Sequence, residues 1–554
     1  MNNKITSFSK LIFTIIIAIA FFQKGYGQND KDFEILKNVD IYTSLYRTLN
    51  ANYVDDIKVS EMMKTGIEAM LKELDPYTVF VSESEIEDIK FITTGEYGGI
   101  GSLIQMRNDR VIISEPYENS PAHKAGLKAG DIILKINNQS ALGKTVQDVS
   151  AMLKGQPGTS IDIEIERPET NKTLNIKVTR EKISIPPVSY ASVLSNSIGY
   201  IKLNAFTQNS YNEVRKAFTS MRDTTQLKGI ILDLRDNSGG LLTEAVDIVN
   251  LFVDKGEHVV STKGKQKDKN SSFYTTKTPI DTKIPVVVLV NGRSASASEI
   301  VSGAVQDMDR GVIIGRRTFG KGLVQNIFPL EYNTQVKVTV AKYYIPSGRC
   351  IQAIDYTHRN KDGNPDIIPD SLINEFKTRN GRKVYDGKGI QPDILSDTVS
   401  FNSIIFNLIT QNIIFDYATK FAANNATIAS PSEFQISDSQ YDEFVKFTQN
   451  KNLTYKTQME EVLEDLKKAA EFENSFENIS TEYNQLKNII EQNKNKDLIT
   501  NKKQIKQLIE QEIISRYYYQ KGRIEHFLKD DNDVLKAIDI INNSDKYKEI
   551  LKKK

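Results

Sequence analysis

The strongest constraint on the fold is a repeated unit of buried strand, turn and helix between residues 182 and 346. The apolar runs Gly229–Leu232 and Pro285–Val290 have the length and continuity of strands that are buried on both faces. Helical patterns follow these runs at Leu242–Phe252 and Ala295–Gln306. Alternation of this kind is typical of a parallel sheet covered by helices, so we predict an α/β core.

Three flanking regions differ from this core in composition. We predict an N-terminal helical region at 28–94, because its apolar residues recur at helical spacing. A glycine cluster and several short strand-like runs predict a small β domain at 95–181. The core then occupies 182–398, with a polar surface loop at 261–277. Residues 399–554 are rich in lysine and poor in glycine, and we predict helices that pack on the core or on a second subunit.

The N-terminus predicts export. Lys4 and Lys10 precede the short apolar run Leu11–Phe22, and the small residues Gly25-Tyr26-Gly27 follow it. This order is typical of a secretory signal peptide at 1–27, with an uncleaved membrane anchor as the alternative. An apolar run of this length is too short to span a bilayer comfortably as a helix. We therefore expect a protein of the periplasm or cell envelope that is soluble after signal removal.

Composition excludes several functional classes. The formal net charge is +1, so no global field points to nucleic acid as a partner. A single cysteine, Cys350, rules out an intrachain disulfide. The chain has only 4 histidines, which makes a histidine-rich metal site unexpected, and we predict neither a metal nor a cofactor.

Three serines lie where a buried strand gives way to a helix, at Ser294, Ser296 and Ser298. Backbone N–H groups at a helix start have no partner within the helix and can bind developing negative charge. A serine at this position therefore has an oxyanion donor beside it. Residue pattern alone does not choose among the three, and Ser296 with Glu299 also fits a capping box, which needs no catalysis.

Lys321 lies between two glycines and precedes an apolar strand-like run. A lysine in a partly dry pocket loses proton affinity and can then accept a proton from a serine hydroxyl. Gln325 falls on the same strand face as Lys321, where its amide can orient the amine. The alternative is an exposed turn lysine beside an ordinary strand residue.

Two glycine-rich segments complete the candidate set. Gly239 and Gly240 follow the strand at 229–232, where their N–H groups can form an oxyanion hole or simply a tight turn. Residues Gly98, Gly99, Ile100 and Gly101 lead into a strand, where successive N–H groups can bind a carboxylate and the strand edge can accept a peptide. A flexible interdomain turn is the alternative.

Together the runs SASASE, TFGKGLVQ and DLRDNSGG resemble those of the C-terminal processing peptidases, or tail-specific proteases, over about residues 35 to 397. The resemblance implies a multidomain α+β protein, with a crotonase- or ClpP-like protease core and an inserted PDZ domain. It selects Ser296 as the nucleophile, 25 residues before Lys321. The other implied roles are the general base (Lys321), its support (Gln325), the oxyanion N–H groups (Gly239 and Ala297), a supporting aspartate (Asp307) and the carboxylate-binding loop (Gly98–Gly101).

The implied function is a serine endopeptidase that recognises C-terminal tails through its PDZ domain and cleaves by a Ser/Lys acyl-enzyme mechanism. Implied partners are protein substrates with accessible tails, a second copy of the chain and an adaptor protein. We also weighed a Ser-His-Asp hydrolase using His258, a catalytically silent PDZ adaptor or chaperone, and an acyl-CoA enzyme. The polar insertion at about 355–384 and the last 150 or so residues fall outside the resemblance.

Overall fold

The computed structural model describes residues 30–552 except 169, 171, 398–401, 452 and 495. The signal peptide predicted at 1–27 therefore lies outside the described residues. The chain divides into two compact units: residues up to Val81 with Ile327–Val338, and Ser82–Asn326 with Thr339–Lys554. No helix among the described residues combines the length and apolar character needed to cross a membrane.

The first unit consists of two helices and a short strand pair. It contains helix α1 over residues 30–52, α2 (Val59–Lys72) and β1 (Val79–Val81), which pairs antiparallel with residues 335–337. The turn between α2 and β1 is fixed by Asp75, whose buried carboxylate accepts the N–H groups of Tyr77 and Thr78, both at 2.8 Å. This Asx-type turn explains why the helix stops before Pro76.

The second unit begins with α3 (Ile86–Thr94) and a small β domain. Its main sheet has the strand order β3-β4-β5-β7-β8, with β6 paired to β5, and β2 pairs separately with β9. Strand β3 is therefore an edge strand, and helix α5 packs beside it. The elements are β2 (Glu96–Gly99), β3 (Ser102–Arg107), β4 (Arg110–Pro116), α4 (Pro121–Lys124), β5 (Ile132–Ile136), β6 (Gln139–Ser140), α5 (Val146–Leu153), β7 (Ser160–Arg167), β8 (Lys172–Thr179) and β9 (Glu181–Ser184).

The core is a six-stranded sheet of order β10-β11-β12-β15-β16-β23, parallel except for the first pair. This confirms the predicted α/β core. The elements are β10 (Val188–Leu194), β11 (Ile198–Leu203), α6 (Ser210–Thr224), β12 (Gly229–Asp233), α7 (Leu242–Val249), β13 (His258–Gly264), β14 (Ser271–Tyr274), β15 (Val286–Val290), α8 (Ala297–Asp307), β16 (Val312–Gly315), β17 (Leu323–Pro329), β18 (Gln335–Tyr344), β19 (Ile354–Arg359), β20 (Pro365–Ile367), β21 (Glu375–Lys377), β22 (Lys383–Tyr385) and β23 (Ile394–Leu395).

Two polar stretches of the core form antiparallel hairpins. The stretch 261–277 contains most of the antiparallel hairpin β13–β14, so the loop prediction there is wrong. The polar insertion forms two further hairpins, β19–β20 and β21–β22. These strands are largely exposed, so polar side chains cover them and their sequences lack the apolar alternation of a half-buried strand.

The C-terminal region is helical, as predicted. It comprises α9 (Ser403–Thr410), α10 (Ile413–Asn424), α11 (Asp438–Asn450), α12 (Gln458–Phe472), α13 (Phe476–Lys494), α14 (Asp497–Thr500), α15 (Lys502–Leu528), α16 (Asn532–Asn542) and α17 (Ser544–Leu551). Its first part has its own buried cluster, built mainly from α9, α10, α11 and α15.

The last two helices belong to the core. Side chains of the sheet alternate, so that Ile230 and Leu232 face helices α6, α7 and α8, whereas Ile231 faces the opposite side. That opposite side is covered by residues of α16 and α17, among them Ile540 and Tyr547. Both faces of the sheet are thus buried, which explains why the sequences of its strands are continuous apolar runs.

Candidate active site

Ser296 occupies the turn between β15 and α8. It is half-buried and adopts φ 55° and ψ −113°, a backbone conformation that is unfavourable for a residue with a Cβ. Strained residues of this kind persist only where the surroundings hold them, and they concentrate at functional sites. The turn sets Ser296 immediately before the first N–H of helix α8, which is that of Ala297.

The neighbouring serines are committed to holding this turn. Ser294 is fully buried; its Oγ donates to the carbonyl of Leu234 at 2.8 Å and accepts the N–H of Asn291 at 2.9 Å. Ser298 is also fully buried, and its Oγ donates to the carbonyl of Asn237 at 2.8 Å. Of the three serines, Ser296 alone is not fully buried.

Lys321 and Gln325 are brought together. The Nζ of Lys321 donates to Oε1 of Gln325 at 2.9 Å, and Nε2 of Gln325 donates to Oγ1 of Thr339 at 3.2 Å. Both Lys321 and Gln325 are half-buried. The amide is fixed by its bond to Thr339, so it holds the lysine amine in one direction.

Glu299 joins the serine turn to the lysine loop, a role beyond the helix cap that its sequence context predicts. Its carboxylate is completely buried. Oε2 accepts the N–H groups of Ser296 and Lys321, both at 2.9 Å. Oε1 accepts the N–H of Gly320 at 2.7 Å and the hydroxyl of Thr318 at 2.5 Å. One carboxylate thus fixes the backbone of both Ser296 and Lys321.

Burial raises the pKa of Glu299 to about 7, although the four hydrogen bonds to its oxygens oppose the shift. The sequence contained one signal for this role: Glu299 lies in the middle of a run that is otherwise small and apolar, where a buried carboxylate needs partners. Three of the four donors come from a segment about twenty residues later, which only the fold reveals.

Gly239 lies directly against the serine turn. A Cβ built on it would come within 2.8 Å of the Ser296 Cβ and 3.0 Å of the Ala297 nitrogen, and its φ of 106° also favours glycine. The N–H of Gly239 donates to Oδ1 of Asn237 at 2.9 Å. Within the described part of the chain, the N–H of Ala297 has no acceptor, as expected at the first position of a helix.

Gly240, the alternative to Gly239 in the predicted oxyanion hole, lies against Phe206. Gly240 pairs with Phe206, and a Cβ at Gly240 would lie 2.3 Å from the Phe206 carbonyl oxygen. The side chain of Asn237, which had no assigned role, is fully buried and ties the Gly239 turn to the carbonyl of Leu203 at 2.8 Å. Gly239 and the N–H of Ala297 thus both lie beside the serine turn.

Asp307 is not brought to this site. It ends helix α8, ten residues after Ala297, which corresponds to roughly 15 Å along the helix axis. Its Oδ1 accepts a hydrogen bond from Arg349 at 2.7 Å and its Oδ2 accepts the N–H of Ser347 at 3.0 Å. Both charged side chains are buried, so these contacts make Asp307 part of a buried ion pair rather than a neighbour of Lys321.

A second charged cluster anchors the loop that carries Gly239. The buried carboxylate of Asp233 accepts the hydroxyl of Tyr200 at 2.6 Å and the amine of Lys202 at 3.2 Å, and it also binds Arg235 at 2.6 Å. Burial opposes ionisation, but Arg235 and Lys202 together hold the pKa of Asp233 well below its usual range. Arg235 also pairs with Asp531 at 2.7 Å, which ties this loop to the C-terminal region.

Of the predicted glycine loop, Gly98 and Gly99 are the last residues of β2 and pair with β9, and Ile100 and Gly101 connect β2 to the edge strand β3. The carbonyl of Ile100 accepts the N–H of Ala122 at 2.8 Å, and that of Gly101 accepts the N–H of Tyr117 at 2.9 Å. Gly101 adopts φ 73°, and a Cβ there would lie 2.5 Å from the Ser120 Cβ. Gly98 is equally constrained, since a Cβ would lie 2.2 Å from a backbone oxygen.

Comparison with known proteins places this site in a family. Residues 197–362 match the model of peptidase family S41, residues 112–167 match a PDZ domain, and residues 404–541 match the C-terminal helical domain of a probable PDZ-protease.

Among similar proteins, the carboxy-terminal-processing protease of Bartonella bacilliformis is 34% identical over 378 residues, covering 68% of this chain and 84% of that protein. The probable CtpA-like serine protease of Staphylococcus epidermidis is 31% identical over 412 residues, covering 74% of each. The photosystem II D1 C-terminal processing protease is a solved structure with 27% identity and a TM-score of 0.34, covering 64% of this chain and 92% of that one. On the strength of the Bartonella match, this chain belongs to the carboxy-terminal-processing proteases of peptidase family S41 and is a serine protease with a PDZ domain.

Proposed function

We propose that this protease cleaves peptide bonds through an acyl-enzyme, with Ser296 as nucleophile and Lys321 as general base. The observation that carries the proposal is the Glu299 carboxylate, which holds the N–H groups of Ser296 and Lys321 on a single oxygen at 2.9 Å each. Burying a carboxylate costs free energy unless hydrogen bonds satisfy its oxygens. Here four donors do so, and the carboxylate thereby aligns two residues from separate loops.

The chemistry follows from the groups present. Neutral Lys321 takes the hydroxyl proton of Ser296 while Oγ attacks the peptide carbonyl carbon. The N–H groups of Ala297 and Gly239 hold the oxyanion, for which Gly239 must release Asn237. Protonated Lys321 then gives its proton to the leaving amine. Water hydrolyses the ester in the same way and restores the Ser296 hydroxyl.

The histidines support the lysine as base. Each of the four has its hydrogen-bond partner elsewhere, and none is bonded to Ser296 among the residues that the structure describes. The pairs are His123 with the N–H of Asn119 at 3.0 Å, His258 with Ser261 at 2.7 Å, His358 with Asp355 at 2.7 Å and His526 with the carbonyl of Pro431 at 2.7 Å.

We further propose that substrates are proteins with accessible C-terminal tails, bound by the PDZ domain. Strand β3 is an edge strand with a row of unpaired backbone groups, and α5 lies beside it. The segment Gly98–Gly101 leads into this strand. Two of its carbonyl groups accept the N–H groups of Tyr117 and Ala122, on the side opposite the free edge of the strand. A tail can add to the strand edge while its carboxylate meets the loop N–H groups.

The test uses the full chain and an unfolded protein substrate with an apolar C-terminal tail. Ser296→Ala and Lys321→Ala should each lower kcat by more than about 1,000-fold and still bind the tail. Ser220→Ala and Lys216→Ala, at exposed positions on α6, are matched controls and should cleave normally. If the parent and all variants bind the tail and none cleaves, the catalytic proposal fails and the tail-binding adaptor takes its place.

Assembly and location complete the proposal. Apolar side chains of α1 are strongly exposed, with Phe33 at 68%, Leu36 at 65% and Val39 at 55%. This supports a homodimer through the helical N-terminal region, to be measured by sedimentation of the parent and a Leu36→Asp variant. Export through a signal at 1–27 predicts that protein isolated from the cell envelope begins after residue 27, which mass spectrometry reports.

A further inference from the structure

Helices α12 and α13 form an antiparallel hairpin within the C-terminal region. The loop between them has only three residues, and Lys494 at the end of α13 donates to both carboxylate oxygens of Glu460 at the start of α12, at 2.9 and 3.0 Å. A short connection of this kind sets neighbouring helices antiparallel.

The contact line between the two helices is narrow. On α12 the buried residues are Leu463 and Ala470, seven positions apart, and on α13 the buried residue is Tyr483. Five large apolar side chains beside this line are exposed by 45% to 63%; we call them the open face, and they are Met459, Val462, Leu466, Leu486 and Ile489.

The open face lies on one side of the hairpin. Met459 and Leu466 lie four residues before and three residues after Leu463, which puts them on one flank of the contact line. Leu486 lies on the corresponding flank of Tyr483, three residues after it. Corresponding flanks of two antiparallel helices face the same side, as equivalent e or g positions do in an antiparallel coiled coil. The hairpin therefore presents the groove into which a third helix of a bundle packs.

Charge identifies what fits this groove. Residues 458–494 contain nine acidic residues and four lysines, a net charge of −5 in a chain whose total is +1. Glu482 lies seven residues before Ile489 on α13 and so belongs to the same flank, and Glu473 caps the C-terminal end of α12, directly after Phe472. Neither carboxylate forms an ion pair with any residue that the structure describes.

We propose that the open face binds one helix of a partner protein, with an apolar stripe bordered by lysine or arginine, to complete a three-helix bundle. The apolar stripe covers the five exposed side chains, and the basic border meets Glu473 and Glu482. A second copy of this hairpin is the poorer occupant, because each copy would bring the same net charge of −5 to the contact. Scattered exposed apolar residues need no partner, but five on one flank of a hairpin mark an interaction surface.

The probe is a synthetic helical peptide of 21 residues with leucines in an a/d pattern and lysines beside them, compared with the same peptide carrying glutamates instead of lysines. Binding to the full chain is measured by fluorescence anisotropy. The basic peptide should bind, and the acidic one should bind at least tenfold more weakly. Val462→Asp should raise the Kd of the basic peptide at least tenfold, whereas Ile367→Asp, at an equally exposed site on β20, should not change it.

A charge reversal distinguishes specific binding at the open face from non-specific binding of the peptide to the chain. In the double variant Glu473→Lys and Glu482→Lys, the acidic peptide should bind better than the basic one. Equal binding of both peptides to the parent, or no effect of Val462→Asp, would overturn the proposal. So would a concentration-dependent dimer that Val462→Asp abolishes, since the occupant would then be a second copy. None of these readouts depends on proteolysis.

Discussion

Replacing Glu299 with glutamine tests the central link of the site. Glutamine keeps the length of the side chain but turns one acceptor oxygen into an NH₂ donor. The least disruptive orientation places this NH₂ toward Gly320 and Thr318, because the Thr318 hydroxyl can turn and accept a hydrogen bond. The N–H of Gly320 then loses its acceptor, which costs about 1–3 kcal/mol for a buried donor.

The pH dependence gives the sharper prediction. In the folded protein the pKa of Glu299 is raised to about 7, whereas in the unfolded chain it returns to about 4.5. Between these values the folded state binds more protons, so the free energy of unfolding falls as the pH rises. The fall amounts to about 3 kcal/mol between pH 4.5 and pH 8 and is nearly complete at pH 7. Glu299→Gln has no carboxyl group to titrate at this position. Between pH 4.5 and pH 8, its free energy of unfolding should therefore rise by about 3 kcal/mol relative to that of the parent.

The assay is urea unfolding at pH 4.5, 6, 7 and 8, with Ser296→Ala present in every protein to prevent self-digestion. Glu443→Gln, at an exposed position on α11, is the matched control, and its pH profile should follow that of the parent. If the profiles of Glu299→Gln and Glu443→Gln run parallel, the buried carboxylate does not titrate as argued, and the reasoning about Glu299 is refuted.

Three further substitutions probe the surroundings of the site. Ser294→Ala should lower the free energy of unfolding by about 1–3 kcal/mol, because two hydrogen bonds are lost, and leave kcat unchanged in the folded protein. Gly239→Ala should lower kcat at least about 100-fold without changing tail affinity, because its Cβ would press on Ser296; a normal kcat would remove Gly239 from the oxyanion hole. Asp531→Asn should weaken the bond to Arg235 and reduce stability by about 1–3 kcal/mol in a urea titration, and an unchanged midpoint would contradict this.

The sequence predicted those strands and helices whose burial can be recognised from their own residues alone. Strands β12 and β15 are buried on both faces, and their continuous apolar runs show it directly. Helix α8 follows the serine turn as the pattern requires. The family resemblance also pointed to Ser296, Lys321 and Gln325, whose roles as a catalytic set stay predictions until the variants are measured.

The parts that sequence did not predict depend on contacts between distant segments. The donors to Glu299 come from both the serine turn and residues 318–321, so its linear context shows only a helix cap. Asp307 was identified as a supporting aspartate by resemblance, and its partner Arg349, which comes from a later part of the chain, could not be recognised from the sequence. The domain boundaries at 94, 181 and 398 likewise stay predictions.

The helices that cover the second face of the core sheet come from a part of the sequence far beyond Ser296. Tyr547 shows how directly they complete the core: its hydroxyl accepts the N–H of Val286 at 3.0 Å, at the start of the strand that leads into the serine turn. Until this part of the chain is available, Ile231 and its neighbours on that face remain exposed to water. A nascent or truncated chain would therefore contain Ser296 and Lys321 without a finished core. A finished core, and with it the support of the strand that leads into the serine turn, therefore requires helices α16 and α17 as well as the strands of the sheet.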